Sequence, residues 1–393
     1  MNLKAILSYM CVAAIAFGVG RKPKFRMYCG LLYIIQLIFS LGERMERRHA
    51  QWTAYFAGQK GGGDKKDKKQ KAFISADCWL SVFDLLTPSK LGFGIAMISH
   101  QFDYYVDEHF KTRKWTLALI RIRHKTENWT TKMEIFNRYY WHCYLEALPI
   151  PQIQMPRKVI GFECITIPFI DQNAIAFLNH FRQLFAACPI NLNIGTDRFL
   201  ELIVHNIWPM IATNIHGMQL SAGIFHHLRQ FVPSILNECP SLRVFNEDSF
   251  TEFPCDDNAM ASDGQAVAKW LFTPRPDNVP KVLKCFLWRN NEHWDLASRI
   301  EAFKAAFANA SSSVNFIVVI EFQSPPSANS VEFFDLTNEL TREQLTLKKM
   351  NDIRHVLLIR CPIVRDESKW AKWEEEAIGW DVRYQWNRIE IPW

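Results

Sequence analysis

The residues with reactive side chains do not form a catalytic pattern in this 393-residue sequence. Cys361 and Arg365 in "RCPIVRD" have three residues between them, which is fewer than the phosphate cradle of a cysteine-dependent phosphatase needs. "GVG" at residues 18–20 is not followed by a helix start, so it does not predict a phosphate-binding glycine loop. We therefore predict a non-catalytic protein that needs no cofactor.

The histidines and cysteines do not predict a metal site. His226 and His227 lie in a helical pattern, where adjacent side chains diverge by about 100° and cannot bind one ion together. We expect one of them at the surface and the other half-buried. The ten cysteines occur singly, without a C-x-x-C pair. Their mostly apolar neighbours are typical of reduced, packed thiols in a cytoplasmic or nuclear protein.

The positive charge of the chain is concentrated at its N-terminal end. The formal net charge is +6, but residues 1–71 contain 14 Lys and Arg against 4 Asp and Glu, which leaves −4 for the remainder. Phosphate binding needs a concentrated cationic surface. The mildly acidic remainder therefore argues against a nucleic-acid partner.

Residues 1–57 form a hydrophobic and basic leader. Its apolar runs at 5–20 and 27–42 are shorter than the roughly 20 residues that a membrane-spanning helix needs. The first run has the length of a signal peptide, and the alternatives are a single anchor, an interfacial helix in contact with a membrane, or a mis-assembled gene start. Residues 58–71, "GQKGGGDKKDKKQK", lack apolar groups and predict a flexible linker.

Residues 72–115 are predicted to form three short helices. Ser75 or Asp77 can cap the first helix, Thr87-Pro88 ends it, and a second helix is expected from about Ser89. Three helices of this length bury too small a core for secure independence, so the surplus apolar surface indicates a partner, unless it packs on its own chain. The apolar stripe of the first helix consists of Cys78, Trp79, Val82, Phe83, Leu85 and Leu86.

The order of residues in "ISADCWLSVFDLLTPSKLGFGIAMISHQFDYYVDEHF" resembles an F-box. Val82-Phe83 and Leu86 match the Ile-Phe and Leu positions of that motif, and residues 98–102 match its later Val-Cys-basic-basic-aromatic run. Ser75 replaces the proline of the motif, and one residue is inserted near the glycines at 92 and 94. Longer phrases, such as "KVIGFECITIPFIDQNAIAFL" and "CPSLRVF", resemble an expanded group of F-box proteins of parasitic nematodes.

This resemblance implies that the F-box segment binds a Skp-type adaptor, which bridges to a cullin and a RING subunit in a ubiquitin ligase. Trp79, Phe83 and Leu86 are the kind of aromatic and aliphatic side chains that anchor such a helical interface. The residues implied in adaptor binding are Ile74, Ser75, Trp79, Leu80, Val82, Phe83, Leu86, Pro88, Leu91, Ile98 and Phe102.

Residues 159–322, which follow a connecting segment at 116–158, alternate short strand-like runs with longer helix-like runs. The strand starts at 160, 190, 215 and 241 are separated by 30, 25 and 26 residues. This spacing favours a leucine-rich-repeat-like α/β solenoid. The full leucine-rich consensus is absent, so an ordinary doubly wound α/β domain is the alternative. Either arrangement predicts a parallel sheet.

Residues 323–393 are predicted to form antiparallel strands and a helix. "VEFFDLTN", "EQLTLKKM" and "HVLLIRCP" have strand patterns, and a Trp- and Glu-rich helix is expected over 366–380. Trp370, Trp373 and Trp380 recur near helical spacing, which indicates a packed face rather than a ligand cage. The fold class is therefore α/β with a small all-α module in front.

These features predict a non-catalytic substrate receptor of a Skp-cullin-F-box ubiquitin ligase. The F-box would hold the adaptor, and exposed residues on the concave strand face would hold an unidentified protein substrate. The alternative is a membrane-tethered or secreted interaction protein, such as a host-directed effector, that keeps the helical module only for packing.

Overall fold

The structure is a computed structural model that describes part of the chain. The leader and the linker lie outside the described residues. The described residues are 75–86, 91, 95–124, 131–136, 148–149, 158–220, 223–247, 250–287, 296–322, 332–350 and 354–392. The chain divides into two compact units, of which the smaller contains the helical segment and the larger contains residues 119–133, 149–155 and 160–393.

Two α-helices and a 3-10 turn make up the described part of the helical segment. Helix α1 (Ala76–Phe83) begins after Ser75, whose hydroxyl accepts a hydrogen bond from the Cys78 N–H at 3.4 Å. Helix α2 (His100–Thr112) is capped by Ser99 in the same way. The 3-10 turn spans Ile95–Met97. Their shared core is built from Phe83, Leu91, Ala96 and Val106.

The predicted three-helix arrangement is only partly visible in the described residues. Helix α1 ends at Phe83, before the predicted stop at Thr87-Pro88. Of the second predicted helix, the described residues contain Leu91 and the 3-10 turn alone. The third predicted helix corresponds to α2. A complete F-box fold therefore stays a prediction.

The strands of the described residues belong to a single sheet, which is mostly parallel. The strands are β1 (Trp115–His124), β2 (Thr131–Phe136), β3 (Leu148–Pro149), β4 (Val159–Thr166), β5 (Ile190–Ile194), β6 (Ile215–Leu220), β7 (Val244–Asn246), β8 (Lys281–Leu287), β9 (Phe316–Phe322), β10 (Phe334–Asn338), β11 (Glu343–Lys349), β12 (His355–Pro362) and β13 (Arg388–Ile391). Their order in the sheet is β10-β11-β12-β9-β8-β7-β6-β5-β13-β4-β1-β2-β3.

Helices follow most of the parallel strands along the chain, as the alternating pattern predicts. The α-helices described in the larger unit are α3 (Gln172–His180), α4 (Arg182–Ala187), α5 (Leu200–Leu202), α6 (Trp208–Ile211), α7 (Ile224–Phe231), α8 (Asp263–Leu271), α9 (Leu296–Ala308) and α10 (Glu367–Gly379). Helix α5 continues through a π-helical turn at Ile203–Ile207 into α6.

The mixed α/β class and the parallel sheet are confirmed, and the C-terminal segment differs from its predicted place. Strands β10, β11 and β12 are antiparallel, as expected, but β12 pairs with β9 and so extends the same sheet. Strand β13 lies between β4 and β5 and is parallel to both. The predicted connecting segment at 116–158 contains β1, β2 and β3.

The two faces of the sheet carry different helices. Phe245 of β7 contacts Phe225 of α7 and Trp270 of α8, with ring centroids 5.2 and 5.9 Å apart. Its neighbour Val244 points to the opposite face, because side chains alternate along a strand. We call the side of Val244 the front face. There Val244 packs in one cluster with Trp370 of α10, so α10 covers part of the front face.

Candidate interaction surfaces

Helix α1 presents an apolar stripe on its outer side. Cys78, Val82 and Leu85 follow one another at helical spacing, and Leu85 extends the last turn through a 3.1 Å hydrogen bond from its N–H to the Val82 carbonyl. Val82 is 44% exposed and Leu85 is 84% exposed. We call Cys78, Val82 and Leu85 the outer stripe. Its apolar side chains are available to a partner.

The opposite side of α1 faces helix α2. The Trp79 ring lies edge-on to Phe102 at 4.8 Å, and the Phe83 ring lies edge-on to His109 at 5.9 Å. Burial lowers the pKa of His109, so its ring is neutral at neutral pH. Asp84 at the end of α1 forms an ion pair with Arg113 at 3.4 Å. These contacts fix which stripe of α1 points outward.

The residues predicted to bind the adaptor occupy different environments in the helical segment. Phe83 and Leu91 are buried in its core, so they can support an interface but not contact a partner directly. Trp79, Leu80, Leu86 and Phe102 are partly buried against that core. Ser75, Val82 and Ile98 are exposed, and Ile74 and Pro88 lie outside the described residues. The residues predicted to bind the adaptor do not include Leu85, which is exposed and follows Val82 at helical spacing.

A row of polar side chains crosses the front face near the carboxyl ends of the parallel strands. The strand register places these residues side by side on six neighbouring strands, and each is half-buried. The Asn246 amide donates to the Gln219 amide oxygen at 3.4 Å. We call this set the polar row: Thr166, Glu390, Asn193, Gln219, Asn246 and Lys284.

Helix α10 covers the front face beside the polar row. Trp370 and Trp380 are buried against Val282 and Ile317, and Trp373 packs at the edge of the same cluster. The predicted packed tryptophan face is confirmed. Helix α10 therefore shields the apolar strand residues of this part of the front face from water. An open solenoid would leave the whole length of that face uncovered.

Cys361 and Arg365 belong to this packing as well. The Arg365 Nη1 group donates to the Cys361 sulfur at 3.0 Å, and the guanidinium lies over the Trp370 ring at 5.1 Å. Burial is the largest influence on the Cys361 thiol and raises its pKa, which disfavours the reactive thiolate. The pair stabilises the start of α10.

A cavity of about 420 Å³ opens between α10 and the amino ends of β6, β7 and β8. Along one side of the cavity, Arg243, which lies just before β7, forms an ion pair with Glu376 of α10 at 3.2 Å. Burial, reinforced by Arg243 and Arg275, lowers the pKa of His216 to about 4, so this lining residue is neutral at neutral pH. The lining residues are His216, Arg243, Val244, Val282, Lys372, Glu375, Glu376, Ala377, Gly379, Trp380 and Gln385.

No protein-family model, curated protein or solved structure matches this chain. Within the described residues, no group of three or more His, Cys, Asp and Glu is placed to hold a metal ion. The helices of that same part are all too short or too polar to cross a bilayer. His226 and His227 are both exposed, so the expectation that one of them is half-buried is wrong.

Gly217 of β6 allows Trp380 to lie directly on the sheet. A Cβ atom at this position would come within 2.7 Å of the Trp380 ring and would also overlap the Asn191 side chain. We expect Gly217→Ala to lower the free energy of unfolding by about 1–3 kcal/mol, because overpacking forces neighbouring groups to shift. Chemical denaturation measures the change.

Gly379→Ala is the matched control for this prediction. Gly379 is the last residue of α10, and a Cβ atom there would meet nothing within 4 Å. Alanine in a helix is favoured over glycine by roughly 0.5–1 kcal/mol, so this variant should be neutral or slightly more stable. Equal destabilisation by both substitutions would contradict the proposed contact between Gly217 and Trp380.

Proposed function

We propose that this protein is a substrate-recognition subunit of a Skp-cullin-F-box ubiquitin ligase. The observation that carries the proposal is the exposed outer stripe of α1 within the segment that resembles an F-box. A short helical segment that keeps Val82 and Leu85 in water gains free energy when a partner covers them. The partner would be a Skp-type adaptor, itself bound to a cullin and a RING subunit in the cytoplasm or nucleus.

Aliphatic side chains of this kind suit a helix-to-helix interface. Fully burying one leucine or valine contributes about 1.5–3 kcal/mol. Ile98, which is 62% exposed, adds a further aliphatic group close to the start of α2. The buried residues Phe83 and Leu91 would act through the shape of the segment rather than by contact.

The larger unit would select the target protein. The polar row offers amide donors and acceptors on the front face, with the Glu390 carboxylate on β13. Lys284 at the β8 end of the row instead holds α10 through two backbone carbonyls. A leucine-rich-repeat-like arrangement would present such a row as an extended binding surface. No residue of this chain needs covalent chemistry, because holding a target lysine near a ubiquitin-loaded enzyme raises its effective concentration.

Loss of the outer stripe should abolish adaptor binding. We expect full-length protein carrying Val82→Asp and Leu85→Asp to bind a purified Skp-type adaptor at least tenfold more weakly than the wild type, because each charge would be buried unpaired. Isothermal titration calorimetry measures the affinity. Both residues are exposed, so circular dichroism should show an unchanged fold.

Met260→Asp is the matched control for this experiment. Met260 is an apolar side chain of the larger unit and is 92% exposed, so the same kind of substitution there should leave adaptor affinity unchanged. Undiminished binding by the folded double variant would refute the docking surface. A wild-type protein that does not bind the adaptor at all would refute the ligase proposal itself.

A further inference from the structure

The cavity under α10 is a preformed site, because its helical wall is held in place on other sides. The Lys284 ammonium donates to the Ile378 and Trp380 carbonyls at 3.0 and 2.7 Å, which fixes the carboxyl end of α10. Lys348 of β11 pairs with Glu374 of α10 at 2.5 Å. A rigid concavity of several hundred Å³ with an apolar floor and a few polar groups is the usual form of a small-ligand site.

Two of the four charged lining residues, and the nearby Arg275, already have partners. Arg243 pairs with Glu376, and Arg275 pairs with Asp277 at 2.7 Å. Two lining residues differ: Lys372 and Glu375 have no ion-pair partner among the residues that the structure describes. They lie three residues apart on α10, which places their Cβ atoms about 5–6 Å from each other on one side of the helix.

The remaining lining is suited to an apolar body. Val244 and Val282 come from the front face of the sheet, and Trp380 and Ala377 come from α10. The neutral His216 and the Gln385 amide add hydrogen-bonding capacity without net charge. Lys372 and Glu375 are both exposed at the rim of the cavity, so a ligand with two opposite charges can pair with both of them, whereas a singly charged ligand can pair with only one.

We propose that this cavity binds a small zwitterion with an apolar side chain, of the size of a free amino acid or a dipeptide. Its ammonium group meets Glu375, its carboxylate meets Lys372, and its side chain packs on Trp380, Val244 and Val282. The lining of this site includes no residue of the outer stripe or of the polar row, although Lys284 of the polar row holds its helical wall. The bound molecule would add contacts between α10 and the sheet to those that already hold the helix.

The test is a thermal-shift and calorimetric titration of the full-length protein with L-leucine and with the dipeptide Leu-Leu. We expect at least one of these zwitterions to raise the melting temperature, because a ligand that binds only the folded state stabilises it. The zwitterion that binds shows whether the ligand has the size of a free amino acid or of a dipeptide. Three analogues test the chemistry: isocaproate has only the negative charge, isoamylamine has only the positive charge, and N-acetyl-leucine amide has neither.

Lys372→Met and Glu375→Gln should each weaken binding of the zwitterion by tenfold or more. Lys369→Met is the control, because Lys369 lies on the same helix but over the Trp373 ring at 4.8 Å and does not line the cavity. Absence of a shift with both zwitterions at millimolar concentration would overturn the proposal. Equal shifts with a singly charged or neutral analogue, or binding unaffected by both cavity substitutions, would overturn it as well.

Discussion

Arg360→Met is expected to lower the free energy of unfolding by about 3–5 kcal/mol, because it leaves the Glu343 carboxylate buried without its cation. The Arg360 Nη2 group donates to a Glu343 carboxylate oxygen at 2.6 Å, and Nε donates to the same oxygen at 3.1 Å. Both side chains are at most 1% exposed. The guanidinium also lies near the faces of Phe272 and Phe307, at 5.6 and 5.3 Å. Equilibrium denaturation with guanidinium chloride measures the loss.

The loss of stability should come from the Glu343 carboxylate that stays buried without a partner, and not only from the lost attraction between Arg360 and Glu343. Removing both partners with Arg360→Met and Glu343→Leu should therefore cost less than Arg360→Met by itself. Some loss will remain, since Glu343 also accepts a 2.7 Å hydrogen bond from the Val314 N–H. Arg383→Met is the surface control: Arg383 is 74% exposed and pairs with Asp381 at 2.6 Å, and such pairs contribute at most about 1 kcal/mol. An Arg360→Met cost no larger than that of the control would contradict this account.

Local sequence patterns were sufficient to predict most strands of the larger unit. The apolar runs that begin near 160, 190 and 215 are strands, and each is followed along the chain by helix. The helix expected over 366–380 is observed as Glu367–Gly379. These elements are readable because their pattern depends on neighbours within a few residues. The parallel arrangement also follows, since a helix between two strands returns the chain in the same direction.

Two features of the sheet could not be predicted because they depend on contacts between distant parts of the chain. Strand β13 is only four residues long, and "RIEI" has the same alternation as many surface segments. Its position between β4 and β5 depends on pairing with segments that lie about two hundred residues earlier. The location of α10 on the front face likewise depends on Gly217, which leaves room for Trp380.

The candidate adaptor site shows the same division between local and tertiary information. The apolar stripe of α1 was evident from its spacing, but it is wide enough to include residues of both sides. Only the contacts with α2 reveal that Trp79 and Phe83 point inward and that Val82 and Leu85 point outward. The motif resemblance selected Trp79 and Phe83 as anchors, since motif positions do not separate core residues from contact residues.

Removal of residues 366–393 is expected to abolish cooperative unfolding of the larger unit. The deletion takes away α10, which covers Val282 and Ile317, and β13, whose Ile389 and Ile391 are fully buried. It also removes the strand between β4 and β5, so each of them loses one of its two neighbouring strands. Near-ultraviolet circular dichroism and thermal denaturation should show loss of fixed tertiary packing, as in a molten globule.

Asn387, directly before β13, makes hydrogen bonds that β4 and β5 would lose if the segment were removed. Its N–H donates to the Phe162 carbonyl at 2.7 Å, its side-chain oxygen accepts from the Phe162 N–H at 2.9 Å, and its carbonyl accepts from the Asn191 N–H at 3.0 Å. Asn387 therefore connects β4 and β5 through three hydrogen bonds, with a φ of 55° that asparagine tolerates better than most residues. Without the segment, these buried donors and acceptors lose their partners.

Two further measurements separate this structural role from a general effect of truncation. Deleting Trp393 alone should leave the thermal transition unchanged, because β13 ends at Ile391. Adding a synthetic peptide of residues 366–393 to the shortened chain should restore near-ultraviolet dichroism, since the peptide carries the whole of α10 and β13. A shortened chain that unfolds cooperatively at the wild-type temperature would mean that β4 and β5 pair directly with each other. In that case the insertion of β13 would be dispensable for the fold, and the sheet would behave as a continuous repeat.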